Sequence, residues 1–255
     1  MFILGRGTVK RYPSRSVKPA IRSTEDTIRF AKEAQATGKM VNGIKGISAL
    51  LGMEWFDLTY GIVPDYMHGL IIGIFGRLLE LWFAAKHSRE KFSIRSKMKE
   101  VNERLLSIKP TDDIARLPRS LLKYTKYKAT EKQNMLLFYI LPCLKGILSD
   151  EYLDHLALFI DSVYIILGDQ ISESDLNKAE KNLKEFYHKF GDFYHPNYVT
   201  LNLHNAGDHM VEYVRITGPA WAWSCFGFED MNGHVLDKTH GTGEVTCWSC
   251  HLIKL

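Results

Sequence analysis

Cysteine is scarce in this sequence, and long hydrophobic runs are absent. Only four of the 255 residues are cysteines, and their spacing is uneven. So few thiols exclude a disulfide framework and favour reduced cysteines in a reducing compartment. The most apolar stretch, residues 69–82, is interrupted by Arg77 and Glu80 and falls short of the ~20 apolar residues that a membrane span needs. A disulfide-stapled secreted domain and a transmembrane protein are therefore excluded.

The N-terminus also lacks the features of a signal peptide. Residues 1–7 show no positively charged start, no long apolar core and no small-residue cleavage site. We therefore expect a nuclear or cytoplasmic protein that is not secreted and has no membrane partner. Hydrophobic residues make up 45% of the chain and charged residues 24%, which is the balance of a globular protein with a sizeable core.

Negative charge is rare in the first fifty residues, which hold ten Lys and Arg against three acidic residues, a net charge of +7. A second basic cluster lies within residues 86–132, whereas residues 133–255 lean acidic. Such asymmetry favours an anionic partner, so non-specific DNA contacts are assigned to six basic residues. These are Arg6, Lys10, Arg11, Arg15, Lys18 and Arg22. The alternative is that the cations only solvate the surface, because no aromatic residues alternate with them as stacking platforms.

Hydrophobic periodicity predicts a mainly α-helical chain. A first, short and exposed helix follows Ser23 and stops near Gly38. The aromatic and β-branched residues within 55–63 form the best strand candidate. Further helices are expected in 94–106, 130–146, 150–168, 172–190 and 197–216, with 109–127 as a linker.

The strongest helical pattern begins at Asp65 and extends to about Lys86. Apolar residues recur there at steps of three and four positions, which predicts a wide buried face. The residues expected to be buried along it are Ile71, Phe75, Leu78 and Trp82. This helix is expected to lie at the centre of the fold.

Asp65 and His68 stand three positions apart, so both side chains lie on one face of the first helical turn. Asp65 is a candidate ligand for Mg²⁺ or Mn²⁺, and His68 a candidate orienting partner. The alternative assigns Asp65 to an N-cap and His68 to an ordinary hydrogen bond.

The aromatic-rich segment 218–234 contains the paired acids Glu229 and Asp230. Aromatic surroundings desolvate a carboxylate, which a bound cation or a hydrogen bond must then compensate. Glu229 is therefore either metal-associated or a structural acceptor.

The last motif, Cys247 to His251, has the spacing of a c-type haem attachment site, but that assignment requires an exported chain. Zinc would require two further ligands, for which His234 and His240 are the nearest candidates. An accidental match is the remaining alternative. Motifs of P-loop nucleotide-binding proteins, zinc metalloproteases and esterases are absent.

Taken in order, several blocks between about Gly5 and Thr242 resemble the C-terminal part of a CACTA-type (En/Spm-like) DNA transposase. The blocks are Val63 to Gly69, Leu78 to Phe83, Leu117 to Ser120, Leu141 to Leu148, Gly218 to Phe226 and Phe228 to Gly233. The resemblance implies a helical insertion-type domain attached to a remnant of an RNase H-like α/β core. Three acids hold two divalent metals in that superfamily. Glu229 matches the third acid, and Asp65 with His68 matches an Asp-x-x-His element distinct from the second acid.

The same resemblance divides the chain into five regions. They are a basic N-terminal segment with one short helix (1–50), a strand and buried helix of the core remnant (51–86), a helical insertion-like region (87–216), a Glu229-bearing helix of the core remnant (217–242) and a divergent tail (243–255).

No counterpart of the first two catalytic aspartates precedes Gly5. We therefore expect a fragment or domesticated remnant that is not an enzyme by itself, with Mg²⁺ or Mn²⁺ bound weakly or not at all through Glu229 and Asp65. The resemblance also implies that Glu229 points toward Asp65 and His68. The alternative function is a nucleic-acid-binding or protein-binding module without enzymatic activity.

Overall fold

The described residues of the computed structural model are 2–4, 7–9, 11–13, 22–112, 114 and 117–238, and they are mainly helical, as predicted. Two short antiparallel strands, β1 (Phe2–Leu4) and β2 (Gly7–Val9), pair with each other. The helices in chain order are α1 (Thr24–Thr37), α2 (Met67–Phe75 continued by Gly76–Phe83), α3 (Met98–Ser107), α4 (Ala129–Asn134, Met135–Tyr139 and Ile140–Leu144), α5 (Asp150–Ile166), α6 (Glu173–Tyr194), α7 (Leu201–Asp208), α8 (Met210–Thr217) and α9 (Phe226–Lys238). Short 3₁₀ turns lie at Ala49–Gly52, Ala85–His87, Arg95–Lys97, Leu121–Lys126, Pro196–Tyr198 and Ala220–Trp223.

The ends of α1 lie where the sequence predicts them. Ser23 Oγ accepts a hydrogen bond from the backbone N–H of Asp26 at 3.1 Å, which caps the helix. Gly38 ends it with φ of 64°, a left-handed conformation that glycine adopts without steric cost.

Helix α2 lies in the core, and the four residues predicted to form its buried face are buried. Its first half is π-helical, from Met67 to Phe75, and its second half is α-helical. Gly73 faces α7 so closely that a Cβ there would lie 2.1 Å from Asn202 Nδ2. The missing side chain of Gly73 therefore lets α2 and α7 approach each other.

The predicted strand within 55–63 is wrong, because these residues form turns. Asp57 Oδ1 accepts hydrogen bonds from the backbone N–H groups of Thr59 at 2.7 Å and Tyr60 at 3.0 Å. The N–H of Gly61 bonds to the carbonyl of Asp57 at 2.7 Å, which completes the turn. An aspartate that satisfies nearby N–H groups competes with strand pairing, and the only described strands, β1 and β2, already pair with each other.

The most extensive helix pairing is between α5 and α6, followed by α6 with α7. A run of aromatic side chains fills this part of the core, and its largest fully buried members include Phe159, Phe186, Phe190 and Tyr194. His155 on α5 stacks on Phe186, with ring centroids 4.4 Å apart. The predicted helices 150–168 and 172–190 are confirmed as α5 and α6, and the structure shows that they pack against each other.

Residues 117–127 are packed against the core rather than forming an open linker. Leu121 is fully buried, and its N–H donates to Asn102 Oδ1 on α3 at 2.8 Å. Tyr127 is buried and donates to the Arg119 carbonyl at 2.5 Å. The many basic residues of this segment predicted a linker, but the buried side chains of Leu121 and Tyr127 attach it to the core.

The predicted helix 197–216 is divided at His209 into α7 and α8. Within α4, π-helical turns at Met135–Tyr139 lie just before Pro142, which has no N–H to donate to the preceding turn. Among the described helices, none is both long and apolar enough to cross a membrane.

Candidate functional site

Asp65 lies two positions before helix α2 and fixes the first turn of that helix. Its Oδ2 accepts a hydrogen bond from the backbone N–H of His68 at 2.8 Å and lies 2.7 Å from His68 Nδ1. The same carboxylate oxygen therefore caps the helix and holds the imidazole. The predicted placement of both side chains on one face is confirmed.

The segment leading into α9 is attached to this turn. The backbone N–H of Cys225 donates to Asp65 Oδ1 at 2.9 Å, across 160 positions of sequence. Trp223 Nε1 donates to the Pro64 carbonyl at 3.4 Å, and the rings of Tyr66 and Phe226 lie 5.9 Å apart. These contacts set the start of α9 beside the start of α2.

Glu229 lies one turn into α9, with its N–H bonded to the carbonyl of Cys225 at 2.9 Å. Its Oε1 lies 3.6 Å from His68 Nε2, so the imidazole stands between two carboxylates. The expectation that Glu229 points toward Asp65 and His68 is confirmed. We call the site formed by Asp65, His68, Cys225 and Glu229 the corner. The side chains of His68 and Glu229 are 52% and 60% exposed, so the corner is open to ions from solvent.

Two pKa shifts describe the electrostatics of the corner. Burial by itself raises the pKa of Asp65, but hydrogen bonds from Cys225 N–H, His68 N–H and the His68 ring hold it below its usual value. Burial, together with the negative charge of Asp65, raises the pKa of the Cys225 thiol. Asp65 is therefore a carboxylate at neutral pH, and the half-buried thiol keeps its proton unless a cation displaces it.

Three side chains of the corner have metal-ligating atoms close together. One nitrogen of His68, the Cys225 sulfur and one Asp65 oxygen lie within 4.8 Å of one another. Within the described part of the chain, no other group of three or more such residues is as close. Cys225 is the member that the sequence did not single out, although its position at the start of the Glu229 helix offered a signal.

This donor set does not fit the pair of Mg²⁺ or Mn²⁺ ions that the transposase resemblance implies. Two-metal strand cleavage needs several carboxylates converging on both ions, and Mg²⁺ prefers oxygen ligands in octahedral geometry. The corner offers only two carboxylates, and the oxygens of Asp65 are already engaged by Cys225 and His68. A thiol and an imidazole complete the set, and neither is a ligand that Mg²⁺ favours.

Four of the six predicted DNA contacts, Arg6, Lys10, Arg15 and Lys18, lie outside the described residues. Arg11 is half-buried. Arg22 is exposed, but its Nη2 donates to the Asn42 carbonyl at 2.7 Å and its guanidinium lies 5.7 Å from the Phe30 ring centre. The described residues therefore show one exposed member of this set, and that member is held in place by its neighbours.

The predictions for the C-terminal cysteines also fall outside the described residues, as does His240. His234 is described. It lies on α9, with its side chain 71% exposed and its Nε2 3.4 Å from Asp230 Oδ2.

A second cluster, formed by two histidines and an aspartate, was not predicted from the sequence. His204 Nε2 lies 3.2 Å from His209 Nε2, and His204 Nδ1 lies 3.0 Å from Asp208 Oδ2. A cavity of about 590 Å³ adjoins both histidines and is also lined by Tyr60, which donates to Glu212 at 2.9 Å. The spacing of His204 and Asp208, four apart on one helix, was the available signal.

No protein-family model, no curated protein and no solved structure matches this chain.

Proposed function

We propose that this chain is a fragment or domesticated remnant of a CACTA-type DNA transposase that does not cleave DNA by itself. The observation that supports the proposal is the meeting of Glu229 with the Asp65–His68 pair, with helices α3 to α8 lying between them in sequence. A helical insertion before the last acid is the arrangement that the resemblance implies. In the proposal, α2 and α9 belong to a remnant of an RNase H-like core.

The proposed inability to cleave DNA follows from the metal-ligating side chains that the corner offers. Strand cleavage by two metals requires ions that bridge the attacking and leaving oxygens, and these ions need more carboxylates than Asp65 and Glu229 supply. We expect Mg²⁺ and Mn²⁺ to bind weakly, and the full chain to leave supercoiled plasmid intact in their presence.

A plasmid-nicking assay tests this part of the proposal. The full chain, Glu229→Gln and the matched control Asp230→Asn are each incubated with supercoiled DNA and Mn²⁺. Intact plasmid in all three samples is the expected result. Nicking by the full chain and by Asp230→Asn, but not by Glu229→Gln, would show that the chain is an enzyme.

Binding to DNA would remain possible without catalysis, because the first fifty residues carry a net charge of +7. Such binding is electrostatic, so its affinity falls steeply with salt, with a slope of about −0.9 per phosphate contacted on duplex DNA. We expect retention of duplex DNA at low salt that does not depend on its sequence. Replacing the six candidate cations by glutamine should weaken binding and flatten the salt dependence, whereas replacing six cations within 86–132 should do so less.

A protein-binding module is the second candidate, and it is favoured by exposed apolar side chains. Trp55 is 94% exposed, and α9 exposes Phe228, Met231 and Leu236 to solvent. Exposed apolar groups of this size are common at protein interfaces. If the full chain retains no DNA at low salt, this second candidate becomes the better account.

A further inference from the structure

One imidazole, one thiol and two carboxylates meet where α9 begins beside α2. We propose that His68, Cys225 and Glu229 bind a single zinc ion and that Asp65 orients His68 for this task. The site uses only residues of this chain, and it does not depend on transposase ancestry or on DNA binding.

The chemistry of the donors points to zinc rather than to Mg²⁺ or Mn²⁺. Zinc is a borderline-soft ion that takes thiolate, imidazole and carboxylate ligands together, usually four in a tetrahedral arrangement. Mg²⁺ and Mn²⁺ favour oxygen ligands instead. Three protein ligands leave the fourth zinc position to water.

The distances suit an ion of this size. Zinc bonds of about 2.0–2.3 Å place neighbouring ligand atoms of a tetrahedral site roughly 3.3–3.8 Å apart. His68 Nε2 and Glu229 Oε1 lie 3.6 Å apart. The Cys225 sulfur lies within 4.8 Å of a His68 nitrogen and of an Asp65 oxygen.

Asp65 has the position of an orienting residue. Its Oδ2 lies 2.7 Å from His68 Nδ1, so Nε2 is the ring nitrogen that faces Glu229. Carboxylates that hold the far nitrogen of a zinc-ligating histidine fix the ring and its tautomer. The N–H groups of His68 and Cys225 hold the Asp65 carboxylate itself at 2.8 and 2.9 Å.

The backbone connections make the site partly preformed. Asp65 bonds to the residue that bears the thiol and to the residue that bears the imidazole, so one carboxylate sets the spacing of two ligands. On binding, the Cys225 thiol gives its proton to solvent and the thiolate takes the metal.

Cobalt substitution tests the proposal on the full chain. Co²⁺ replaces zinc in such sites, and a cysteine thiolate bound to it gives a charge-transfer absorption in the near ultraviolet. We expect the full chain to show this band with one equivalent of Co²⁺ and to lose it when one equivalent of zinc is added. Cys225→Ser should abolish the band, and His68→Ala and Glu229→Gln should weaken Co²⁺ binding.

Two sets of variants distinguish this site from others. Asp65→Asn should lower zinc affinity by roughly 10- to 100-fold while keeping the thiolate band, as expected for an orienting residue. The double variant Cys247→Ser/Cys250→Ser and the control Asp230→Asn should bind as the unchanged chain does. Circular dichroism should show the same helical content in every variant.

The opposite pattern would overturn the proposal. A band that survives Cys225→Ser but disappears in the Cys247→Ser/Cys250→Ser double variant would assign the metal to the C-terminal cysteines. Absence of any thiolate band from the full chain would show that Cys225 is not a ligand. Either outcome leaves the plasmid-nicking result, and so the proposed function, unaffected.

Discussion

Two histidines, one in the aromatic core and one at the corner between α2 and α9, differ in burial and in the groups that contact their rings. His155 lies in the aromatic core between α5 and α6, where its ring stacks on Phe186 and Phe193. His68 lies at the open corner between α2 and α9, with a carboxylate on either side. His155 is 2% exposed, whereas the side chain of His68 is 52% exposed.

The hydrogen bonds of the two rings differ as much as their burial. His155 Nε2 donates to the Phe186 carbonyl at 2.9 Å, and its Nδ1 is buried without a partner. Such a ring is held neutral by packing and serves the fold. His68 instead has both nitrogens directed at acids, and a thiol lies nearby. The corner brings together side-chain atoms of the kinds that ligate metals in proteins.

The largest effect on stability should come from the aromatic core. Phe159 is fully buried on α5 and stacks on Phe186 with ring centroids 4.9 Å apart. Phe159→Ala should lower the free energy of unfolding by about 3–5 kcal/mol, because a cavity replaces the ring. His68→Ala at the exposed corner should change it by less than ~1 kcal/mol. Urea unfolding of both variants measures the contrast, and similar losses for the two would contradict it.

Acid should destabilise the core through His155. Burial lowers the pKa of this imidazole from 6.5 to about 4, against the smaller raising effect of its hydrogen bond to the Phe186 carbonyl. Between these two pH values the unfolded chain binds a proton that the folded chain does not, so stability falls as pH falls. The contribution of the neutral His155 ring to the free energy of unfolding is complete above about pH 6.5 and is lost by about pH 4. This loss amounts to about 3 kcal/mol.

Urea unfolding at several pH values tests this prediction with two variants. His155→Phe should remove most of the loss between pH 6.5 and pH 4, because no imidazole remains to be protonated. His234→Gln replaces a largely exposed histidine on α9 and is the matched control for the loss of one imidazole. An unchanged pH dependence in His155→Phe would show that other groups cause the loss.

A smaller difference in stability is expected between alanine substitutions at two helical glycines, one in the core and one on α9. A Cβ at Gly207 would lie 2.5 Å from Tyr187 Cδ1, so Gly207→Ala should cost about 1–3 kcal/mol through overpacking. A Cβ at Gly233 would meet nothing within 4 Å, and Gly233→Ala should be neutral or stabilising by up to ~1 kcal/mol. Thermal melting of both variants checks the difference, and equal melting temperatures would argue against close packing at Gly207.

The features that the sequence predicted are mostly local. Helix α1 has its cap and its glycine stop within the chain segment itself, and the apolar spacing in α2 identified its buried face. Asp65 and His68 share a face because three positions of one helix put them there. The strand predicted within 55–63 failed because a strand depends on a partner elsewhere, while Asp57 formed a turn with its own neighbours.

The candidate site depends on a long-range contact between α2 and α9, which hydrophobic periodicity does not predict. Glu229 and His68 meet because the start of α9 is attached to Asp65, and only the transposase resemblance anticipated that meeting. Cys225 was not singled out because its thiol is brought near His68 by a backbone bond to Asp65 that joins positions 160 apart in the sequence. The His204–His209 pair was missed because the two rings meet only across the break between α7 and α8.

The most direct test of the claim that this corner binds a metal is a crystal structure of the zinc-loaded full chain, with diffraction measured at the zinc absorption edge. The account predicts one anomalous peak at the corner, about 2.0–2.3 Å from His68 Nε2, Cys225 Sγ and a Glu229 oxygen, with Asp65 on His68 Nδ1. An anomalous peak on the C-terminal cysteines, with none beside His68, would contradict it.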